Sequence, residues 1–277
     1  MSHDHDDAHE GLQQDLTTLA IRAHRRDFLR WVAGASAIPF IAPLAACLGG
    51  NDVGAVDDST TTDGSTGTCS TIPEETAGPY PGDGTNGPNA LTSSGIVRSD
   101  ITSSFGSYSG TAAGVPLTIK LVLVDSDNNC TPLEGYAVYL WHCDAAGRYS
   151  LYSSGVTTQN YLRGVQEVDA TGMVTFVSIF PACYDGRWPH IHFEVYPSTA
   201  VATNGSAKIA TSQMAMPKAT CDVVYATSNY ASSATNLAKV SLGTDNVFSD
   251  GTSLQIPTIT GNATDGYVAT LTIGVTG

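Results

Sequence analysis

Two histidines separated by one residue lie in the segment 189–196, whose composition predicts a β-strand. Successive side chains of a strand point to opposite faces, so His190 and His192 share one face with Glu194. Two imidazoles one strand repeat apart can bind a single metal ion. The alternative is a pair of half-exposed strand histidines, and the spacing alone leaves the identity of a metal open.

Further side chains capable of chemistry lie close to these histidines in the chain. Pro181 and a turn at Gly186 hold Tyr184 and Arg187 just ahead of them. The segment 140–150 predicts a strand that ends in a turn, with Tyr149 just past it. This neighbourhood favours a functional site over unliganded strand histidines.

The elements that must position these residues are predicted to be strands, because alternating or β-branched runs are common and helical periodicity is scarce. The predicted strands are 117–124, 135–143, 173–179 and 189–196, with a hairpin formed by 253–256 and 267–275 and a short helix at 233–240. Strands at this spacing with Gly and Pro turns predict an all-β fold, a β-sandwich of mixed and antiparallel strands with long loops.

The N-terminal segment has the order of an export signal. Arg25 and Arg26 form a twin-arginine pattern, and the apolar run 31–46 that follows is too short for a membrane span. Cys47 ends a stretch typical of lipoprotein processing, although it could be an ordinary cysteine before a plain cleavage site. We therefore expect 1–47 to be a twin-arginine lipoprotein-type signal, which makes the protein a cell-envelope lipoprotein or a secreted or periplasmic one.

The composition of the sequence after the signal separates a linker from a folded domain. Residues 48–68 are rich in Gly, Asp, Ser and Thr and predict a flexible linker, which leaves 69–277 as the folded domain. The formal net charge of −14 argues against a nucleic-acid partner, since phosphate binding needs concentrated Lys and Arg.

The cysteines of the folded domain are expected to form disulfides, because an oxidising compartment favours them. Spacing alone does not choose among the pairings, and we favour Cys69 with Cys130 and Cys183 with Cys221.

Several stretches together resemble one family: 73–80, 132–135, 140–150, 161–166, 169–172, 180–193, 211–213 and 245–251. They resemble the intradiol ring-cleavage dioxygenases, which include protocatechuate 3,4-dioxygenase and catechol 1,2-dioxygenase, and the chain looks most like the secreted single-domain branch. The resemblance implies an oxidoreductase that cleaves a catechol-type ring with O2 between its two hydroxylated carbons. The expected product is a cis,cis-muconate-type diacid.

The resemblance also implies the roles of single residues. Arg187 matches an arginine that lies over the substrate ring, and Gln213 matches a glutamine near the same pocket. Tyr184 matches an axial ligand that also takes a proton from the substrate. The implied iron ligands are Tyr149, Tyr184, His190 and His192.

The chemistry of these donors agrees with ferric iron. Phenolates are hard, anionic ligands that favour Fe(III), and two phenolates with one hydroxide balance its three positive charges. A catechol can enter as a dianion if hydroxide and Tyr184 take its two protons. Arg187 would stabilise negative charge that develops on the ring.

Other candidates have weaker assignments. Tyr80 could border the substrate pocket or pack in a Gly-Pro-Tyr turn, and Trp188 could line the entrance or the core. His142 is interpreted as structural or as a support behind a metal ligand, and Arg163 as a loop-fixing residue. The sequence indicates neither the substrate's ring substituents nor an oligomeric state.

Two other classes of function remain open from the sequence. A non-catalytic surface sandwich could bind saccharide or protein while keeping the four ligand positions. Another oxidation could use the same histidines with copper or zinc. Visible colour with Fe(III), oxygen uptake with catechols and metal analysis discriminate among these functions.

Overall fold

A computed structural model describes residues 69–203 and 207–277. The predicted signal at 1–47, its lipid anchor at Cys47 and the linker at 48–68 lie outside these residues and stay predictions. Among the described residues, no helix is both long and apolar enough to cross a membrane.

Strands dominate the described part of the chain, and the helices are short. The strands are β1 (Pro116–Asp125), β2 (Thr131–Pro132), β3 (Ala137–Trp141), β4 (Arg163–Glu167), β5 (Met173–Ile179), β6 (His190–Tyr196), β7 (Ala210–Ala215), β8 (Thr258–Asn262) and β9 (Gly266–Val275). The α-helices are α1 (Thr199–Ala202), α2 (Lys218–Val224) and α3 (Ser233–Leu237), and 3-10 turns occur at Ser228–Tyr230 and Phe248–Asp250.

The strands form two sheets. One has the order β2-β1-β9-β8, with β5 also paired to β1, and the other has the order β4-β3-β6-β7. β1 and β9 run parallel, and the remaining neighbours run antiparallel. The predicted all-β sandwich of mixed strands is confirmed.

The core lies between the sheets and follows the side-chain period of a strand. β1 buries alternate residues, among them Leu117, Ile119 and Leu121, and turns the residues between them partly to solvent. β6 is different because every one of its residues is buried. Its histidine face is therefore covered as fully as its apolar face, and the site lies inside the protein.

Two predictions about these elements are wrong in part. Residues 253–256 are not a strand, and the hairpin partner of β9 is β8. β8 is mostly exposed and has little apolar alternation, so its pattern is weak compared with that of 253–256. The predicted helix at 233–240 is confirmed but shorter, and α2 was not predicted.

The cysteines of the described residues divide into one disulfide and three thiols. The predicted Cys69–Cys130 disulfide is present. The predicted Cys183–Cys221 disulfide is wrong, because both residues and Cys143 are buried free thiols. The Cys183 thiol instead donates to the Arg187 carbonyl over 3.4 Å. Burial raises the pKa of Cys183 to about 12, so the thiol is protonated at neutral pH.

Candidate metal centre

β6 supplies two imidazoles to one point in the interior. The Nε2 atoms of His190 and His192 are 3.1 Å apart, as expected for residues on one face of a strand. Neighbouring strands fix their positions, since His192 pairs with Trp141 of β3 and with Gln213 of β7. Both imidazoles are almost completely buried.

A tight turn after β3 supplies Tyr149. The Asp144 carboxylate accepts hydrogen bonds from the Ala146 and Arg148 N–H groups, which closes the turn. Gly147 has φ +82°, and a Cβ there would lie 3.1 Å from the Tyr184 Cβ. Glycine therefore allows the turn to lie directly against Tyr184.

Four side chains converge, and we call Tyr149, Tyr184, His190 and His192 the Tyr–His cluster. The Tyr149 Oη lies 3.3 Å from His190 Nε2 and 3.2 Å from His192 Nε2. The Tyr184 Oη lies 3.3 Å from His190 Nε2. Atoms at this spacing can all ligate one ion at about 2 Å. No group of three or more His, Cys, Asp or Glu suited to a metal occurs within the described residues, so the tyrosines complete this donor set.

The protonation of His190 suits a metal ligand. Its Nδ1 lies 2.6 Å from the Trp188 carbonyl oxygen, which can only accept, so the proton is on Nδ1 and the Nε2 lone pair faces the cluster. Burial, together with the charge of Arg187, lowers the pKa of His190 to about 3. Burial and the neighbouring His190 also hold the pKa of His192 well below its ordinary value. Both rings are therefore neutral at pH 7.

The phenol of Tyr149 requires a cation before it can ionise. Burial raises its pKa well above 10, and the adjacent Tyr184 raises it further. A buried phenolate is stable only if a positive charge compensates it. Two neutral imidazoles and two phenols therefore fit a highly charged, oxygen-preferring cation such as Fe(III).

Arg187 lies beside the cluster in a fixed position. Its Nε donates to Asp245 over 3.0 Å, and its Nη2 donates to the Gln213 Oε1 over 2.8 Å. Gln213 is held in turn by the Thr76 carbonyl, to which its amide donates over 2.8 Å. Burial alone would raise the pKa of Asp245, but Arg187 and the Trp188 N–H lower it below its ordinary value. Arg187 is thus a buried, preorganised cation.

The two candidate substrate contacts have different surroundings. Tyr80 is half-buried, and its ring centroid lies 5.1 Å from those of both Tyr149 and Tyr152. Trp188 is buried, and its indole N–H donates to the Met216 carbonyl over 2.9 Å. Their substrate roles stay predictions. Tyr80 and Tyr184 are both half-buried, whereas Tyr149 and the histidines are buried, so the cluster is least covered on the side of these two tyrosines.

Arg163 has the loop-fixing surroundings expected from the sequence. It is buried, and it donates to the backbone oxygens of Tyr80, Pro81 and Ser150 and to the hydroxyls of Ser150 and Tyr139. These bonds tie the segment that carries Tyr80 to the turn that carries Tyr149. His142 is structural, since its ring contacts the Cys143 carbonyl and the Ser178 hydroxyl.

Sequence reasoning missed Asp245 and Trp141. Asp245 belongs to a stretch that resembles the family, but nothing in the sequence shows that it reaches Arg187 across 58 positions. Trp141 is the cross-strand neighbour of His192, and the two rings stack. The pairing of β3 with β6 could have indicated that contact had the register been known.

The known proteins to which this chain is similar are dioxygenases. A dioxygenase family model matches residues 88–192. An intradiol ring-cleavage dioxygenase from Tetranychus urticae is 25% identical with a TM-score of 0.58, over 75% of this chain and 95% of its own. A second dioxygenase crystal structure is 26% identical with a TM-score of 0.58, over 75% and 94% of the two chains. The comparison with curated proteins finds no match.

The chain resembles the intradiol ring-cleavage dioxygenases in sequence and in fold. The dioxygenase match ends on His192 and includes the whole Tyr–His cluster and Arg187. Gln213 and Asp245 lie beyond it, although the structure joins both of them to Arg187. A more distant dioxygenase domain, from a carbohydrate-binding fusion protein of Streptomyces sp. SirexAA-E, is 21% identical with a TM-score of 0.45, over 74% and 99% of the two chains.

Proposed function

We propose that the protein is a non-haem Fe(III)-dependent intradiol dioxygenase. It cleaves a catechol-type ring between the two hydroxylated carbons with O2 and gives a cis,cis-muconate-type diacid. The convergence of two phenol oxygens and two imidazole nitrogens, each within 3.1–3.3 Å of at least one other donor of the cluster, carries the proposal. The similarity to a dioxygenase family and to an intradiol ring-cleavage dioxygenase supports the reaction class.

The Tyr–His cluster would hold the iron. Bound there, Fe(III) supplies Lewis acidity that activates the catechol towards O2. His190 enters this role with its Nε2 lone pair already directed at the cluster, because Nδ1 is committed to Trp188. Tyr149 is buried, so its side of the cluster is closed to water.

Tyr184 would take part in proton transfer. It is the half-buried tyrosine of the cluster, so a substrate hydroxyl can approach its Oη from solvent. A phenolate at that atom accepts the proton of the substrate, as expected for a general base within hydrogen-bond reach. The second substrate proton would pass to a hydroxide, which leaves as water.

Arg187 would stabilise charge in the reacting ring. Its guanidinium cannot move freely, because Asp245 and Gln213 hold two of its nitrogens. A fixed cation in a dry site is worth more than the same charge in water, since no reorganisation is needed when charge develops. The Asp245 carboxylate keeps Arg187 oriented in the absence of substrate.

The export of the enzyme is part of the proposal. The N-terminal twin-arginine pattern supports export from the cytoplasm, and Cys47 supports a lipid anchor. Cell fractionation of the full chain and of a Cys47→Ala variant tests both points. Recovery of the full chain in the cytoplasm would reject export, and equal release of both forms into the soluble fraction would reject the anchor.

Iron loading and substituted catechols test the reaction. We expect a visible tyrosinate-to-Fe(III) charge-transfer band, oxygen uptake with at least one catechol, and a product that carries both oxygen atoms by mass. A colourless protein at full iron occupancy would reject the iron site. A coloured protein that consumes no oxygen with any member of the panel would reject the catalytic assignment.

Tyr149→Phe is the first variant to make. Loss of one phenolate should shift or weaken the charge-transfer band and lower oxygen uptake by about 10²-fold or more, an effect of the size seen when metal sites are perturbed. Tyr108→Phe is the matched control, because Tyr108 is an exposed tyrosine outside the cluster. Equal spectra for the two variants would contradict the role of Tyr149.

A further inference from the structure

The two histidines of the cluster have unequal support. His190 donates from Nδ1 to a backbone carbonyl. His192 is equally buried, but its Nδ1 has no hydrogen-bond partner among the described residues. Metal-binding histidines usually donate their second ring N–H to an acceptor, which fixes the orientation of the ring. Among the described residues, the His192 ring is therefore oriented by packing contacts and not by a hydrogen bond at Nδ1.

Trp141 covers the face of the His192 ring. The two ring centroids are 4.8 Å apart and the planes are within 4° of parallel. The contact is built into the sheet, because Trp141 on β3 and His192 on β6 are cross-strand partners. Trp141 is itself fully buried, so its indole has no room to leave the stack.

A second ring extends the stack away from the cluster. Tyr139, two residues earlier on β3, lies 5.0 Å from Trp141 at an interplanar angle of 22°. Its hydroxyl donates to the Pro81 carbonyl over 2.7 Å and accepts from Arg163 over 3.0 Å. These polar bonds anchor the far end of the stack, so Trp141 is clamped between a fixed tyrosine and His192.

We propose that Trp141 is a positioning residue that orients His192 by ring stacking, in the role that a hydrogen bond plays for His190. The proposal rests on the proposed iron site. It implies that retention of the metal depends on an aromatic ring at position 141. Loss of support to a ligand of this kind typically lowers metal affinity about 10–100-fold.

Two substitutions separate stacking from volume. Trp141→Phe keeps an aromatic face against His192, whereas Trp141→Leu fills part of the space without one. We expect a chelator to strip Fe(III) from the leucine variant about 10–100-fold faster than from the wild type, and from the phenylalanine variant at a rate closer to wild type. The charge-transfer band should shift in the leucine variant and be largely retained in the phenylalanine variant.

Phe193→Leu is the matched control. Phe193 is fully buried next to His192 in β6, but its side chain points to the opposite face. The substitution therefore costs core packing without removing the stack. It should lower the melting temperature while leaving iron release and the charge-transfer band unchanged. If Trp141→Leu does not fold, Trp141→Met provides a second non-aromatic side chain.

A measurement on the iron-free protein separates failure of this inference from failure of the proposed iron site. In the iron-free protein, nuclear magnetic resonance of the His192 ring should show one ordered orientation in the wild type and Trp141→Phe, and several in Trp141→Leu or Trp141→Met. An ordered ring in the non-aromatic variants, or equal iron release from all variants, would overturn the inference. If the wild type gives no charge-transfer band with Fe(III), the proposed function fails, and the ring order alone decides the role of Trp141.

Discussion

A buried ion pair beside the Tyr–His cluster determines which substitutions the site tolerates. Arg187 and Asp245 are both buried and neutralise each other over 3.0 Å. Removing one partner leaves an uncompensated charge in the interior, whereas removing both does not. The pair therefore allows the structural and the catalytic contributions of Arg187 to be measured separately.

Arg187→Gln should damage both stability and activity. The lone Asp245 carboxylate should cost about 3–5 kcal/mol of unfolding free energy. Oxygen uptake should fall about 10²–10³-fold, because a fixed positive charge near the reacting ring is lost. The double variant Arg187→Gln with Asp245→Asn should regain most of the stability and none of the activity. Recovery of activity in the double variant would show that Arg187 acts only through folding.

His142 predicts a pH dependence of stability. Burial lowers its pKa to about 4 in the folded protein, against 6.5 as the ordinary value. The unfolded chain therefore binds the proton more readily, so stability is complete above about pH 6.5 and is lost as the pH falls towards 4. The titration of His142 should therefore lower the free energy of unfolding by about 2 kcal/mol between pH 7 and pH 5.

Denaturant unfolding of the wild type and of His142→Asn at pH 7 and pH 5 checks this contribution. The variant should lose less stability between the two pH values, by about 2 kcal/mol. His190 and His192 are present in both proteins, and burial has a larger effect on the pKa of each than His142 does, so most of their own titration cancels in the comparison. An identical loss in the two proteins would contradict the assignment to His142.

At the residue scale, the sequence predicted which side chains form the site better than it predicted the partners of those side chains. The alternation of a strand was enough to place His190 and His192 on one face, and their Nε2 atoms are neighbours in the structure. It could not show that Asp245 pairs with Arg187, because the segment 245–251 carries no periodicity that fixes its direction. Nor could it show that Cys183 and Cys221 stay unpaired, since spacing does not determine disulfide geometry.

At the scale of elements, the site depends on two strands and two turns. β6 delivers both histidines, and β3 supports them from the neighbouring position. The turns after β3 and before β6 deliver the tyrosines. They touch at Gly147, where the backbone is left-handed and a side chain would press on Tyr184. The geometry of the cluster is therefore sensitive to one glycine.

Gly147→Ala tests that sensitivity. The left-handed φ alone should cost about 1 kcal/mol for any non-glycine residue. The added Cβ should also displace Tyr184 and perturb the charge-transfer band of the iron-loaded protein. Gly155→Ala is the matched control, because Gly155 has φ +79° and its nearest neighbour to an added Cβ is the Arg148 side chain at 3.9 Å.

Both glycine variants should lose similar stability through backbone strain, as measured by thermal unfolding. Only Gly147→Ala should change the visible spectrum. A changed spectrum in Gly155→Ala as well would show that strain anywhere in this loop reaches the cluster.

The sequence predicted the strands with clear apolar patterns, whereas β2, β4, β7 and β8 were missed. β1 shows regular alternation and was predicted nearly at its observed bounds. β8 is short and mostly exposed, so little hydrophobic pattern marks it, and pairing with β9 defines it instead. α2 was missed because a seven-residue helix gives too few turns for a clear period.

At the scale of the whole molecule, the first described residues are tied to the sandwich covalently. Cys69 is the first described residue, and its disulfide reaches Cys130 in the turn between β1 and β2. A backbone bridge from Thr71 to Gly274 of β9 continues the attachment. The disulfide closes a loop of 61 residues along the sequence.

Replacing Cys69 and Cys130 together by serine should destabilise the domain by about 4 kcal/mol, because a loop of this length costs the unfolded chain that much entropy. Denaturant unfolding under oxidising conditions checks the value. The charge-transfer band of the folded variant should be unchanged, since the disulfide lies at the turn between β1 and β2 of one sheet and the histidines of the cluster lie on β6 of the other. A lost band at retained fold would contradict a purely structural role.

The architecture was accessible from sequence because strand patterns and Gly/Pro turns suffice for an all-β class. The order of the strands was not, since β1 pairs in parallel with β9, which is separated from it by most of the domain. Contacts of that range are specified by the complete core and not by any local pattern. The residues that support the site could not be predicted for the same reason, because they come from segments that are distant in the chain.

The three buried thiols have a consequence for the life of the protein in air. Cys143, Cys183 and Cys221 are at most 1% exposed, and burial raises the pKa of each thiol. Oxidation to sulfenic acid and disulfide proceeds through an accessible thiolate, which none of them presents. A protein proposed to consume O2 thus keeps these three thiols where oxidants do not reach, and it should keep its function through long aerobic storage without added reductant.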